Sequence, residues 1–324
     1  MAAAAGVSVT TVSDALTGKG RLPESTRKRV QEAALALGYR PNVTARNLAR
    51  GRAGVLVLTL SVVPGGPVVM TEGDFFIQVL TSATTVSLEH GYSLTISLPR
   101  YQSWSTLPVD GAIVLDPVPK DAALADLRRM GVPHVTVGRE PAGDIDTDSV
   151  DNDHLVGTRM MLDHLVTAGA SRVALISSPP VHSYALDALR TYRIWCRDVG
   201  QDPMVVFARD ALSESAGYAA ALRLLEAPAL PDAIYATLGR LALGAKLAAE
   251  TRGVKVPGDL LLAGLTDSAA SRAAQLTVLD VRPLEIGRAA AELLIARLEG
   301  QERPPTHTVV TAEVIHRAST ARTS

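Results

Sequence analysis

Val9, Thr10, Ser13 and Asp14 share one face of a helix that opens just after a glycine, and that arrangement suits insertion into a DNA major groove. Gly6 supplies the permissive backbone that a tight helix-helix turn needs, and Ser8 is placed to cap the next helix by accepting from its first amides. Val12, Ala15 and Leu16 return at helical spacing as the stripe that must be buried, which leaves the other four residues facing outward. No comparable set points to catalysis. The chain has no G-x-S-x-G and no H-E-x-x-H, and Gly18-x-Gly20 lacks both a third glycine and a preceding strand. Asp144-Ile145-Asp146-Thr147-Asp148 begins like a calcium loop but carries Ser149 and Leu155 where glycine and glutamate are required. The seven histidines, His164 and His316 among them, show no metal spacing, so neither a metal nor a cofactor is expected, and the chain is not expected to be an enzyme.

The elements that must position the reading face follow from the same stretch. Ala2 to Ala5 form the end of a first helix, Ser8 to Leu16 the second, and Glu24 to Leu37 a third, with Val30, Ala33, Ala34 and Leu37 as its stripe and Gly38 as its stop. Pro41-Asn42 then breaks the chain and caps a short hinge segment, Val43 to Leu48. Residues 1–52 hold nine Lys and Arg against three acids, a balance of +6, while the remainder of the chain carries −7. A basic head on an acidic body is the balance expected when one end meets phosphates and the other must not.

From Gly54 the pattern changes to alternating strands and helices. Val55 to Val63, Tyr92 to Leu98, Gly111 to Leu115, Val135 to Val137, Val173 to Ser177, Met204 to Phe207, Ala233 to Ala236 and Leu260 to Leu265 read as strands of parallel sheets covered on both faces. Helices are expected at 75–90, 152–167, 184–199, 213–226, 241–252 and 284–299. Roughly 270 residues of this is more than one lobe, so two lobes facing a cleft are expected. The segment Pro99 to Pro108 is too short for the crossover helix that its flanking strands call for. The lone Cys196, beside Trp195 in a helical run, reads as a packed thiol. With no signal peptide and no apolar run long enough to span a bilayer, the expected location is the cytoplasm, away from membranes.

Taken in order, the motifs Ala5-Gly6-Val7-Ser8, Thr11-Val12-Ser13, Thr26-Arg27-Lys28-Arg29-Val30, Leu37-Gly38-Tyr39-Arg40-Pro41-Asn42, Ala45-Arg46-Asn47-Leu48, Val109-Asp110-Gly111, Val150-Asp151-Asn152 and Ile315-His316-Arg317-Ala318-Ser319 resemble the LacI/GalR family of transcription regulators over nearly the whole length. The resemblance implies an all-α helix-turn-helix head at 1–40, a hinge helix and linker at 41–52, and a two-lobed α/β effector domain of periplasmic-binding-protein-like fold at 53–324. Lobe 1 is expected at about 53–150 plus 282–307, and lobe 2 at about 151–281 plus 308–324. The family implies a homodimer on a near-palindromic double-stranded operator, acting as a repressor, with hinge helices that insert a leucine, here Leu48, into the minor groove. Residues carried over to DNA are Ser8, Val9, Thr10, Thr11, Ser13, Asp14, Asn42, Arg46, Leu48 and Arg50. Asp14 stands where many members carry arginine; it either accepts from cytosine N4 or serves as a helix-capping carboxylate. In the family's twenty-residue frame the turn glycine is ninth, so Gly6 implies a first helix three residues short. The alternative reading is therefore a ligand-binding or protein-interaction module that has lost DNA binding.

The same resemblance points to an unknown small-molecule effector between the lobes, held by Phe75, Asp151, Arg190, Arg193, Leu238, Thr266 and Asp267. Three family anchors are replaced. Ala188 stands where an arginine is usual, with Arg190 or Arg193 as substitutes; Leu238-Gly239 replaces Asn-Asp; and Thr266 replaces the first of two aspartates, with Asp267 kept. Either the effector is unusual and less polar than a sugar, or the cleft binds none.

Overall fold

The computed structural model describes residues 1–17, 21–39, 51–61, 73–97, 108–141, 147–208, 213–301 and 304–322. The hinge segment with Asn42, Arg46, Leu48 and Arg50, most of the 99–108 connection, residues 62–63 and residues 144–146 lie outside them. The chain divides into two units, Met1–Gly54 and Val55–Ser324.

In the first unit, α1 (Ala2–Ala5), α2 (Val9–Thr17) and α3 (Glu24–Ala36) surround a small core of Ala5, Val12, Ala15 and Val30. Gly6 ends α1 at φ 63°, and the amides of Gly6 and Val7 return to the Ala3 and Ala2 carbonyls. That left-handed cap turns the chain sharply enough for α2 to begin three residues later. Leu37 corrects the sequence reading of the stripe. It is the C-cap of α3, one residue past the last turn, and is 56% exposed instead of buried.

Among the described residues the second unit holds two six-stranded sheets. Sheet 1 contains β1 (Val55–Leu60), β2 (Ser93–Ser97), β3 (Gly111–Leu115), β4 (His134–Val137), β5 (Asp148–Asp151) and β11 (His307–Val309). Its order is β11-β5-β4-β3-β1-β2 and every pairing is parallel. Sheet 2 contains β6 (Val173–Ser177), β7 (Val205–Phe207), β8 (Ala233–Ala236), β9 (Leu261–Leu265), β10 (Thr277–Asp280) and β12 (Glu313–Ile315). Its order is β12-β10-β9-β8-β6-β7, parallel except for β10 against β12. The central strands are buried along their length, as continuous apolar runs demand when helices cover both faces.

Helices α4 (Gly73–Glu89), α5 (Ala122–Met130) and α11 (Pro283–Leu298) pack on sheet 1, and α6 (His154–Thr167), α7 (Ser183–Val199), α8 (Glu214–Leu225) and α9 (Gly239–Thr251) on sheet 2. The crossing of α4 and α11 depends on Gly287, because a Cβ there would stand 2.3 Å from the Val79 carbonyl oxygen. A short helix, α10 (Ala269–Ala273), follows β9 behind a Ser268–Ser271 capping box. The sequence pattern did not reveal α5, α10, β5 or β10 to β12; the strands among them carry Asp148, Ser149, Thr277, His307, Thr308 and Glu313 in place of a continuous apolar run.

The chain passes between the sheets three times, near residues 152, 281 and 310. Asn152 ties all three passages together. Its Nδ2 donates to the Val281 carbonyl at 3.1 Å and to the Val310 carbonyl at 2.7 Å, while Val310 N–H donates to the Asp151 carbonyl at 2.9 Å.

Candidate functional sites: a helix face and an interlobe cavity

On α2 the Ser8 hydroxyl accepts from the Thr11 amide at 3.1 Å and lies 2.8 Å from the Thr11 hydroxyl. That cap fixes the start of the helix and engages these two side chains with each other. Val9, Thr10 and Ser13 are exposed and Asp14 and Thr11 are half-buried. Val9 is 76% exposed on a helix whose other side is packed, an apolar side chain presented outward beside two hydroxyls. Such a face offers methyl contacts and hydrogen bonds, the two kinds of contact that base edges accept in the major groove.

The second site is a cavity of about 40 Å³ at the carboxyl ends of both sheets, the place where open α/β sheets bind ligands. At roughly 10–15 Å³ for each water, it has room for about three in this closed arrangement. Lobe 1 contributes Asp116 just after β3, Val137 and Gly138 at the end of β4, Asp151 at the end of β5, and Phe75 and Ile286 from its helices. Lobe 2 contributes Ser183 and Tyr184 from the start of α7, His154 from α6, Leu238 after β8, and Leu265 and Thr266 at the end of β9.

Its rim is bridged between the lobes. The Arg139 guanidinium donates through Nε to Asp151 at 3.1 Å and through Nη2 to Asp187 on α7, and the Arg139 amide donates to the Ser183 hydroxyl at 3.2 Å. His182 Nδ1 lies 2.9 Å from the Asp116 carbonyl oxygen, and the His182 ring stacks on Tyr184 at 5.7 Å. Burial governs the acid-base state of the walls. It raises the Asp116 carboxyl against the opposing pull of His182, raises Asp151 to about 7 despite the Arg139 cation, and lowers His154 to about 4, with Arg139 adding to the effect. His154 is therefore neutral at physiological pH, and its Nε2 lies 3.6 Å from Asp151.

Two cavity residues hold unusual backbone. Asp116 sits at φ 47° and Thr266 at φ 69°, a region that a β-branched residue rarely enters and that clusters at ligand sites. The Thr266 hydroxyl oxygen is also buried without a hydrogen-bond partner.

Of the expected effector residues, the structure brings Phe75, Asp151, Leu238 and Thr266 together around this cavity. Three others are elsewhere. Arg190 and Arg193 are exposed on α7, turned away from the face that carries Tyr184 and Ala188, so neither replaces the missing arginine. Asp267 points out of the cavity into ion pairs with Arg272 at 3.1 Å and Arg317 at 2.7 Å. Among the described residues the arginine at the cleft is instead Arg139, from the opposite lobe. Sequence reasoning missed Asp116, Arg139, His154, Ser183, Tyr184 and Asp187. A carboxylate directly after the apolar strand 111–115 was the one available signal. Cys196 is a buried thiol, as expected of a packed residue. Among the described residues no group of three His, Cys, Asp or Glu could hold a metal ion, and no helix is long and apolar enough to cross a membrane.

Residues 1–42 match the family model for bacterial regulatory proteins of the lacI family, and residues 162–320 match that for a periplasmic binding protein-like domain. The chain is 28% identical over 333 residues to the HTH-type transcriptional repressor CytR of Escherichia coli K12, covering 97% of this chain and 93% of the relative. It is 30% identical over 262 residues to the HTH-type transcriptional regulator RafR of Escherichia coli, covering 76% and 74%. Its fold is similar to that of the Lac repressor dimer bound to operator and the anti-inducer ONPF, at a TM-score of 0.83 and 22% identity over 99% of this chain and 98% of that one.

Proposed function

Because the chain belongs to the lacI family of bacterial regulatory proteins, we propose that it is a homodimeric transcriptional repressor that reads a near-palindromic operator through α2 and is controlled by a small effector in the interlobe cavity. The single observation that carries this reading is the exposed row Val9, Thr10 and Ser13 on a capped helix whose opposite side is packed. It is supported by the +6 balance of residues 1–52, which favours phosphate contact. In this reading Ser8, Thr11, Asp14, Asn42, Arg46 and Arg50 complete the DNA contacts, and Leu48 enters the minor groove. Residues 41–52 link the head to the two lobes, and the protein works in the cytoplasm and catalyses no reaction.

Effector and operator are coupled through geometry. A ligand that changes how the lobes close changes the spacing of the paired hinges, and the two binding free energies are linked reciprocally. The test is selection of bound sequences from random DNA, followed by titration at several salt concentrations. Affinity must fall steeply as salt rises, because phosphate contacts release counterions. Absent or salt-independent binding overturns the reading in favour of a ligand-binding module. Leu48→Ala is expected to weaken operator binding by about tenfold or more, roughly 1.4 kcal/mol or above, with dimerisation and Tm unchanged. A large fall in Tm would mean that Leu48 belongs to a core.

A further inference from the structure

We propose that the interlobe cavity selects a small organic cation, an ammonium on a compact apolar body, with the Asp116 carboxylate as its counter-ion and the Thr266 hydroxyl as an acceptor for its N–H. The proposal rests on the reading of this cavity as the effector site and names the class of molecule it takes.

Charge separates the candidates first. Asp116, Asp151 and Asp187 bring three carboxylates to the cavity and its rim, against Arg139. Arg139 is already bonded to both Asp151 and Asp187, and His154 is held neutral by burial. The His182 Nδ1 is engaged by the Asp116 carbonyl. Among the described residues an anionic ligand would therefore meet more carboxylates than cations, and its desolvation would be poorly compensated.

Asp116 is the carboxylate left over. Its amide donates to the Val137 carbonyl and its carbonyl faces His182, but among the described residues nothing hydrogen-bonds to its carboxylate oxygens. The carboxyl is half-buried at the cavity wall, desolvation raises its pKa, and an ammonium arriving beside it would favour the ionised form. The second unmet group is the Thr266 hydroxyl, 1% exposed and without a partner. An unpartnered buried oxygen costs free energy that a ligand N–H recovers.

The remaining wall fixes the body of the ligand. Phe75, Tyr184, Leu238, Leu265, Val281 and Ile286 are apolar or aromatic, and a sugar's ring of hydroxyls would find few partners among them. The small volume restricts the body to a few carbons.

The experiment uses the full chain and three probes of matched size, n-butylamine, 1-butanol and butyrate, in thermal-shift titrations at one pH and constant ionic strength. Butylamine is expected to raise Tm saturably by roughly 3 °C, with no saturable shift from the alcohol or the acid. Asp116→Asn keeps the shape, and asparagine tolerates the positive φ, so its unliganded Tm should stay close to the parent while butylamine affinity falls about tenfold or more. An equal response to butanol or butyrate, no response to butylamine, or an undiminished response in the variant overturns the proposal. The probe series decides the matter even if the variant does not fold. Operator binding is measured on the same preparation, so a protein that binds DNA but ignores amines overturns this inference alone. One that binds amines but not DNA overturns the repressor reading alone.

Discussion

Lobe 1 presents Asp116, Arg139 and Asp151 to the cavity, whereas lobe 2 presents Tyr184, Leu238, Leu265 and the Thr266 hydroxyl. The two lobes share one sheet plan, with the first strand flanked by the second on one side and the third on the other, so their strand ends are equivalent places. The difference lies in what each loop carries. Among the described lining residues the carboxylates come from lobe 1 alone, whereas apolar surface comes from both lobes, Phe75, Val137 and Ile286 on one side and Tyr184, Leu238 and Leu265 on the other. Closure encloses the site, and the Arg139 bridge to Asp187 holds the two walls together beside the Arg139 amide bond to Ser183 and the contact of His182 with the Asp116 carbonyl.

The comparison breaks most severely at the passages that keep the lobes in register. Asn152→Ala removes both donors from the buried carbonyls of Val281 and Val310, and a loss of roughly 3 kcal/mol is expected, at about 1–3 kcal/mol for each buried group left unpaired. Urea denaturation measures it; a loss well under 1 kcal/mol would show that water takes over the bonds.

Next in size is Arg139→Ala. The guanidinium is half exposed, so the stability lost should be only about 1 kcal/mol. The larger sign is mechanical, since the rim opens and small-angle scattering should record a greater radius of gyration. An unchanged radius would mean that the lobes stay closed without the bridge.

The smallest effect is on the pH profile, and it distinguishes the walls by sign. His154 titrates at about 4 in the fold against an ordinary 6.5, so acid favours the unfolded chain. Its contribution is complete above pH 6.5 and is lost as pH falls toward 4. Asp151 has the opposite effect. Raised from 3.8 to about 7, it holds its proton more tightly when folded, so its contribution is present below 3.8 and lost as pH rises to about 7. The parent curve should be nearly flat between pH 4 and 6.5. His154→Gln should make stability fall with rising pH there, and Asp151→Asn should make it rise. Thermal melts across that range check both, and matching slopes in the two variants would refute the opposition.

The head and the cavity also differ in how far the sequence revealed them. The α2 face was legible because a helix puts neighbours at fixed spacing: once Gly6, Ser8 and the stripe Val12, Ala15 and Leu16 are identified, Val9, Thr10 and Ser13 have nowhere to point but out. Leu37 shows the limit, since its place in the period continued while the helix ended. The cavity is assembled from positions more than a hundred residues apart, and no local spacing encodes it. Arg190 and Arg193 stand near the vacant family position in the sequence, but on α7 they are exposed, away from the buried face of Tyr184. Asp267 holds a retained position, but nearby Arg272 and Arg317 draw its carboxylate outward.

The sequence by itself therefore determined the class of fold, the order of its main strands and helices, the outward face of α2 and the apolar strands that must be covered, because each follows from a period of 3.6 residues, a continuous apolar run or a turn residue. Only the tertiary structure decided that Arg139 bridges the lobes, that Asp116 and Thr266 keep unmet polar atoms, and that Asn152 ties three crossings together. Those outcomes depend on which side chains meet across a cleft, and burial, charge pairing and hydrogen bonding act on that meeting wherever the residues fall in the chain.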